Sequence, residues 1–367
     1  MKTILKLLIC ICLTCSSLLA EPKPSIRIGG IFSLSGFGAH IGNAEMRAVF
    51  MARDEINKAG GIAGQPLELI IEDNRSDLKT AVTAFQKLAS VDQVTALIGP
   101  NFSEFVESVF PLASKFKLPA IAASGYKEGL FENRKFIFTL WPPHQIAIRP
   151  LSSYIAVHGH SRLSVLVSEN AYFQGLAVAL GEQLRAAGLT LTTLEVSPGT
   201  SDFRSSIVRI KREAPDGVVS LLLETGEQAA FLKQSKELEL KLPVYAANTI
   251  MFDPLIAETP AVAEGLIYFD YVTTGDEQFK QEYQRRFAEA AGISSAKAYD
   301  AVFILKQAIE KCGRDPEKLA TCISQTDYRG RSGRIRFDKN GVIADQQPNT
   351  SLFTVKDGRF IELAPGS

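Results

Sequence analysis

The sequence predicts an α/β protein of two domains, each a parallel sheet with helices on both faces. Three observations carry this. Short apolar runs alternate with amphipathic stretches of helical period along most of the chain. The alternation restarts after Pro142-Pro143, so two series of the same kind follow one another. And 367 residues exceed what one ordinary hydrophobic core organises.

The N-terminus reads as an export signal. Lys2 and Lys6 precede the apolar run Leu7 to Leu13, then Ser16, Ser17 and a small residue at Ala20, so residues 1–20 are expected to be removed. An uncleaved anchor is the weaker reading, because the run is short for a bilayer. A lipoprotein signal ending at Cys15 fits poorly with Cys12-Leu13-Thr14 before it. No later stretch is long and apolar enough to span a membrane, which leads us to expect a soluble mature protein. Removing the signal removes Cys10, Cys12 and Cys15 and leaves Cys312 and Cys322. In an exported protein two cysteines this close are expected to pair, the alternative being two buried thiols. Metal binding is a weaker alternative still, since no His lies beside them. Forty basic and forty acidic residues cancel, with no basic run, which argues against a nucleic-acid partner.

After a Pro-rich leader (Glu21 to Ser25), Ile26 to Phe32 is a predicted strand and Ser33 to Gly42 a Gly/Ser-rich loop. A helix starts at Asn43, with Met46, Val49, Phe50 and Ile56 inward, and ends at Gly60-Gly61. Leu67 to Glu72 is a strand, and Ser76 caps a helix with Val82, Phe85 and Leu88 inward. Val94 to Ile98 is a strand that turns through Gly99-Pro100 into a helix opening at Asn101 to Ser103, with Val106, Val109, Phe110, Ala113 and Phe116 inward. Leu118 to Ala122 and Phe136 to Trp141 complete the first series. The second series has helices at Gln145 to Val157, Phe173 to Ala187, Phe203 to Glu213 and Glu227 to Leu238. Its strands are Leu163 to Val167, Leu189 to Val196, Gly217 to Leu223, Val244 to Ala247 and Leu266 to Val272. Helices Glu277 to Ala291 and Ala296 to Cys312 follow without a strand between them. From Arg334 come short strands, with turns at Lys339-Asn340-Gly341 and Asp357-Gly358. This break in rhythm implies that the chain returns late to the first domain and then crosses again.

Enzyme signatures are missing. There is no GxSxG, HExxH or GxxxxGK[ST], and Gly36 and Gly38 lack a third glycine for a dinucleotide turn. His40 and His144 are isolated, and His158-Gly159-His160 falls in a predicted helix-to-strand turn. No nucleophile, base and orienter can be assembled, so no catalysis and no cofactor are expected. A ligand site can be assembled, however, because strand, crossover helix and parallel strand place their connecting ends on one sheet edge, where small ligands bind. The candidates there are Asn101, Phe102 and Ser103, then Ser124 and Tyr126, Tyr172, Glu224 and Asn248. Ser103 at a helix start pairs a hydroxyl with free backbone N–H groups, which suits an anion. Four of them also have a plain structural reading: Ser103 as an N-cap, Tyr172 as packing, Glu224 as a solvated loop carboxylate or helix N-cap, and Asn248 as a turn former.

The stretch around AxDEINKAGGIAGQPLELIIED, the opening IGGIFSLSG, ALIGPNFS, KLPAIAAS and AKAYDAVFILKQAIE resemble the periplasmic leucine/isoleucine/valine-binding proteins. These are the solute-binding components of branched-chain-type amino-acid ABC transporters. The resemblance covers essentially the whole mature chain. It implies a type I periplasmic binding fold: two Rossmann-like lobes, three crossovers and a ligand enclosed by hinge closure. Lobe 1 is then expected at 25–143 plus 273–348, and lobe 2 at 144–272 plus 349–365. By the same resemblance, Ser103 holds a ligand carboxylate and Ser124 makes a backbone contact. Tyr126 stands where the family often has Thr, while Tyr172 and Tyr299 match family tyrosines. Two departures bear on the ligand. Asn248 replaces the glutamate that usually pairs the ligand ammonium, and Ile41 stands where an aromatic residue is common, with Phe37 near. Either Glu224 takes over, or the ligand has no α-amino group. Trp141 and Phe102 could supply apolar wall. The expected partners are therefore a small carboxylate-bearing solute and a membrane permease, with the protein a monomer. The alternatives are an exported ligand-sensing domain that docks to a receptor, a binder of a non-amino organic acid, and a secreted hydrolase as the weakest.

Overall fold

The computed structural model describes residues 24–223, 226–248, 256, 258–271, 275–344 and 350–363. The predicted export signal, Glu224 and Thr225 lie outside them. The first series gives β1 (Ile26–Phe32), α1 (Ala39–Lys58), β2 (Leu67–Asp73), α2 (Leu78–Gln86), β3 (Ala96–Ile98), α3 (Ser103–Phe116), β4 (Ala120–Ala122) and β5 (Ile137–Thr139). The second gives α4 (His144–Ala147), α5 (Arg149–Val157), β6 (Arg162–Ser168), α6 (Ala171–Ala186), β7 (Thr190–Val196), α7 (Arg204–Glu213), β8 (Gly217–Leu221), α8 (Glu227–Glu237), β9 (Val244–Ala246) and β10 (Ile267–Tyr271). The last portion holds α9 (Glu277–Phe287), α10 (Ser295–Cys312), α11 (Pro316–Ser324), β11 (Asp327–Gly330), β12 (Gly333–Arg336), β13 (Thr350–Lys356) and β14 (Arg359–Glu362).

Two parallel sheets result, as the alternation predicts. The first has the order β2-β1-β3-β4-β5 and the second β14-β13-β10-β9-β8-β6-β7, with β13 and β14 antiparallel at its edge. In both, the parallel strands run 2-1-3-4-5 in their own numbering, so each sheet reverses direction between its first and third strands. That reversal opens a crevice at the carboxyl ends of β1 and β3 in one sheet and of β6 and β8 in the other.

Alternate residues of the first sheet serve its two faces, as the period of a strand requires. Ile31, Leu97, Ala120 and Ile137 pack with Phe85, Val106 and Phe110 of α2 and α3. Ile28, Ala96, Ile98 and Phe138 pack with Ala48, Ala52, Val302 and Leu305 of α1 and α10. Each buried phenylalanine here contributes on the order of 1.5–3 kcal/mol. Exposed pairs such as Lys280–Glu277 are worth about 0–1 kcal/mol, so apolar packing decides the stability.

Several boundaries differ from expectation. Helix α1 starts at Ala39, not Asn43, and its buried side includes Ala44, Glu45, Ala48, Val49, Ala52 and Ile56, with Met46 half-buried against the same core and Phe50 half-buried. Gly42 lies inside the helix because a Cβ there would sit 1.9 Å from the Ser33 carbonyl oxygen, so this glycine permits close approach. Asp77, not Ser76, caps α2, accepting from the Thr80 N–H at 2.8 Å. The single helix expected from Gln145 to Val157 is two, interrupted where Pro150 enters at the start of α5. Phe116, read as inward, is 47% exposed at the end of α3. Helix α11 and strand β11 were not anticipated, although Asp315 before Pro316 is a strong start signal: its side chain accepts from the Lys318 N–H at 3.0 Å. Cys312 at the end of α10 and Cys322 on α11 face one another, with Cα atoms 6.4 Å apart. Among the described residues, no helix is long and apolar enough to cross a membrane.

Candidate functional site

A cavity of about 80 Å³ lies between the two sheets at the carboxyl ends of their strands. From the first sheet it is lined by Phe102 and Ser103 after β3, Ser124 and Gly125 after β4, and Trp141 after β5. From the second come Asn170, Tyr172 and Phe173 after β6, Leu223 after β8 and Asn248 after β9. Ile41 on α1 and Ile293 before α10 complete the wall.

Local structure sets each polar group. Phe102 has φ 64° and ψ 145°, a conformation that costs a residue with a side chain about 1–3 kcal/mol. Its ring is held edge-on against Phe37 at 5.4 Å and Phe105 at 6.3 Å, which stabilises it in place. The turn brings Ser103 to the first position of α3, where backbone N–H groups lack helical acceptors. Ser103 is the first helical residue, after Phe102 at the cap position; its Oγ accepts from the Tyr126 N–H at 3.3 Å, and among the described residues no acceptor takes its hydroxyl proton. The plain N-cap reading of Ser103 is therefore corrected.

Across the cavity Asn170 caps α6, accepting from the Tyr172 N–H at 2.9 Å and the Phe173 N–H at 3.4 Å. Its amide donates to Glu104 Oε1 at 3.4 Å, tying the start of α6 to the start of α3. The Tyr172 hydroxyl donates to Asn248 Oδ1 at 3.0 Å and lies 3.0 Å from the Tyr271 hydroxyl. Burial pushes the Tyr172 phenol well above its ordinary range, so it stays a neutral donor. Asn248 lines the cavity, and among the described residues no acceptor takes its amide N–H groups. The lining thus combines a predominantly apolar wall with donors on two sides, which suits a small solute with a carboxylate and an apolar body.

Of the expected residues, Phe102, Ser103, Ser124, Tyr172 and Asn248 come together here. Asn101 and Tyr126 do not line the cavity. The Asn101 side chain is fully buried and accepts from the Ser33 N–H at 2.9 Å, fixing the loop after β1. The Tyr126 phenol turns away to Glu128 at 2.9 Å and stacks on Phe131. Glu224 lies outside the described residues. Tyr299 donates to Glu55 far from the cavity.

The sequence reading missed three buried titratable groups. His144, called isolated, packs against the rings of Tyr126 and Tyr172 at 5.3 and 5.5 Å, and burial lowers it to about 4. Glu45 accepts from the hydroxyls of Ser124 and Ser294, and burial raises it to about 7. Lys297 stands 4.7 Å from the Trp141 ring centre, lowered to about 8 by burial. A charged residue inside an apolar helical face is the signal that could have found Glu45 and Lys297.

Comparison with known proteins bears on the same arrangement. The family model described as periplasmic binding protein matches residues 25–358. A leucine-, isoleucine-, valine-, threonine- and alanine-binding protein of Pseudomonas aeruginosa is 24% identical, over 86% of this chain and 87% of its own. A Leu/Ile/Val-binding protein of Rhizobium johnstonii is 26% identical, over 92% and 93%. Among solved structures, the branched-chain amino acid transporter substrate-binding protein LivJ of Streptococcus pneumoniae, in complex with isoleucine, superposes with a TM-score of 0.80. It is 21% identical and covers 93% of this chain and 100% of its own. A solute-binding protein of an ABC transporter from R. palustris, in complex with benzoate, has a TM-score of 0.78 at 16% identity, covering 93% and 96%. The chain belongs to the periplasmic binding protein family.

Proposed function

We propose that this protein is the periplasmic solute-binding component of a branched-chain-type amino-acid ABC transporter, and that it captures a small carboxylate-bearing solute without chemical change. The observation that carries the reading is the cavity built from both sheets, with the Ser103 hydroxyl free on one side and Tyr172 and Asn248 on the other. The carboxylate meets Ser103 and the start of α3, and Phe102, Ile41, Trp141 and Leu223 surround the apolar body. Relatives that bind leucine, isoleucine and valine, and a fold neighbour holding benzoate, bracket the ligand chemistry. Lobes at 25–143 plus 273–348 and 144–272 plus 349–365 close on the solute, since only the closed state contacts it from both sides. The closed surface then docks to the permease. Residues 1–20 direct export, after which Cys312 and Cys322 form a disulfide.

The test is native mass spectrometry of protein purified without unfolding. A carboxylate-bearing small molecule is expected in one-to-one complex. Ser103→Ala should weaken its binding by about 1–3 kcal/mol in calorimetry, because a buried donor to a charged group is lost. A bound molecule without a carboxylate, or unchanged affinity, contradicts the reading.

A further inference from the structure

We propose that Ser124 accepts a hydrogen bond from an α-ammonium group of the solute, and that Glu45, sealed beneath the cavity, is the positioning residue that makes it an acceptor. The inference deepens the carboxylate-solute reading and rests on it: the solute is an amino acid rather than a simple acid.

The argument follows the hydroxyl protons. Ser103 keeps its proton for the cavity, because its oxygen is already an acceptor for the Tyr126 N–H. Ser124 is the opposite case. Its proton goes to Glu45 Oε1, so only oxygen lone pairs remain toward the cavity that Ser124 lines. Tyr172 gives its proton to Asn248, and the Asn170 amide donates to Glu104. Among the described lining side chains, Ser124 is thus the acceptor that stands near the donor Ser103, with Tyr126 N–H joining the two turns.

Glu45 supplies the charge that the lining lacks. It sits on α1 with 0% exposure, and two hydroxyls converge on its Oε1: Ser124, and Ser294 at 2.6 Å. Its Oε2 has no hydrogen-bond partner among the described residues. Lys297, one turn beyond Ser294 on α10, is itself 2% exposed. Its ammonium faces the rings of Trp141 and Tyr271 at 4.7 and 5.8 Å, and no salt bridge within 4 Å joins it to a described carboxylate. Burial works against the Glu45 carboxylate, whereas both serines and Lys297 favour it. A second cation arriving at Ser124 pushes the same way. A carboxylate one hydroxyl removed from the cavity can therefore answer an ammonium where Asn248 cannot.

Glu45 could instead be a simple tie between α1 and α10. Glu45→Gln separates the two roles, because glutamine still accepts from both serines but carries no charge. Calorimetry with three pairs of probes reads the outcome: L-leucine and 4-methylpentanoate, L-alanine and propanoate, L-phenylalanine and 3-phenylpropanoate. Wild-type protein should prefer the amino acid of whichever pair binds. Glu45→Gln should lower that amino-acid affinity by about tenfold or more while leaving the desamino acid within about twofold, as expected for loss of charge assistance. Ser124→Ala should do the same, and combining the two should add little, since they act in one chain. If Glu45→Gln folds poorly, Glu45→Gln/Lys297→Met removes both buried charges and should show the same collapsed preference.

An unchanged preference in these variants, with carboxylates still bound, overturns the inference and leaves the carboxylate reading standing. Collapse in Glu224→Gln but not in Glu45→Gln overturns it in favour of Glu224. A desamino acid that wild-type protein binds as well as its amino acid also overturns it. If no carboxylate binds at all, the reading beneath it fails as well.

Discussion

His144 shows how one side chain sets a pH dependence. Its Nε2 has no hydrogen-bond partner among the described residues, the ring lies against Tyr126 and Tyr172, and a Cβ on Gly175 would come within 2.4 Å of the ring. Burial, aided by Lys127, holds its pKa near 4, below the ordinary 6.5. The unfolded chain therefore binds a proton between those values and the folded one does not, so this group lowers stability as pH falls from 6.5 to 4. Glu45 and Asp270, both raised to about 7, work in the opposite sense: their contribution is fully present at low pH and is lost as pH rises through 7. The comparison must therefore be made against a variant. We predict that His144→Leu gains on the order of 3 kcal/mol relative to wild type as pH drops from 7 to 4, measured by urea unfolding at each pH. A pH-independent difference would show that His144 is hydrated and titrates normally. None of this was legible in the sequence. A lone histidine after Pro142-Pro143 gives no sign of the two tyrosines that fold over it, since they come from distant turns.

At the scale of elements, the sheets and most helices were legible because strands buried on both faces read as continuous apolar runs. Strand ends were not, since pairing stops where neighbours diverge: β8 ends at Leu221, although the apolar run continues to Leu223. Helix starts failed where glycine had another use, as at Gly42. The strand-end cluster was legible in part, because Ser103, Ser124, Tyr172 and Asn248 follow directly from the edge rule. Asn101 was not separable from them by pattern: it sits at the same edge but is spent on the Ser33 N–H. The α10–α11 corner carries its own prediction. Cys312 and Cys322 meet within the Cα spacing that a disulfide allows. Cys312→Ser/Cys322→Ser should cost about 2–3 kcal/mol in denaturant unfolding, the value expected for a loop this short. No change on either substitution or reduction would mean that the thiols are not bonded.

For the whole molecule, the site exists only where the two sheets approach one another. Ser103 and Tyr172 belong to different sheets, and α3 meets α6 through Glu104 and Asn170. Each sheet alone offers half a lining, too little to desolvate a carboxylate and pair it. On the proposed reading, ligand and closure are linked by the differential contacts of the closed state, a link no local pattern in the chain displays. Small-angle X-ray scattering tests it most directly, on protein stripped of its solute by unfolding and refolding and then given that solute back. The account predicts a contraction on adding the solute, with a smaller response in Ser103→Ala at the same concentration. Superimposable scattering curves, while calorimetry reports full binding, would contradict it.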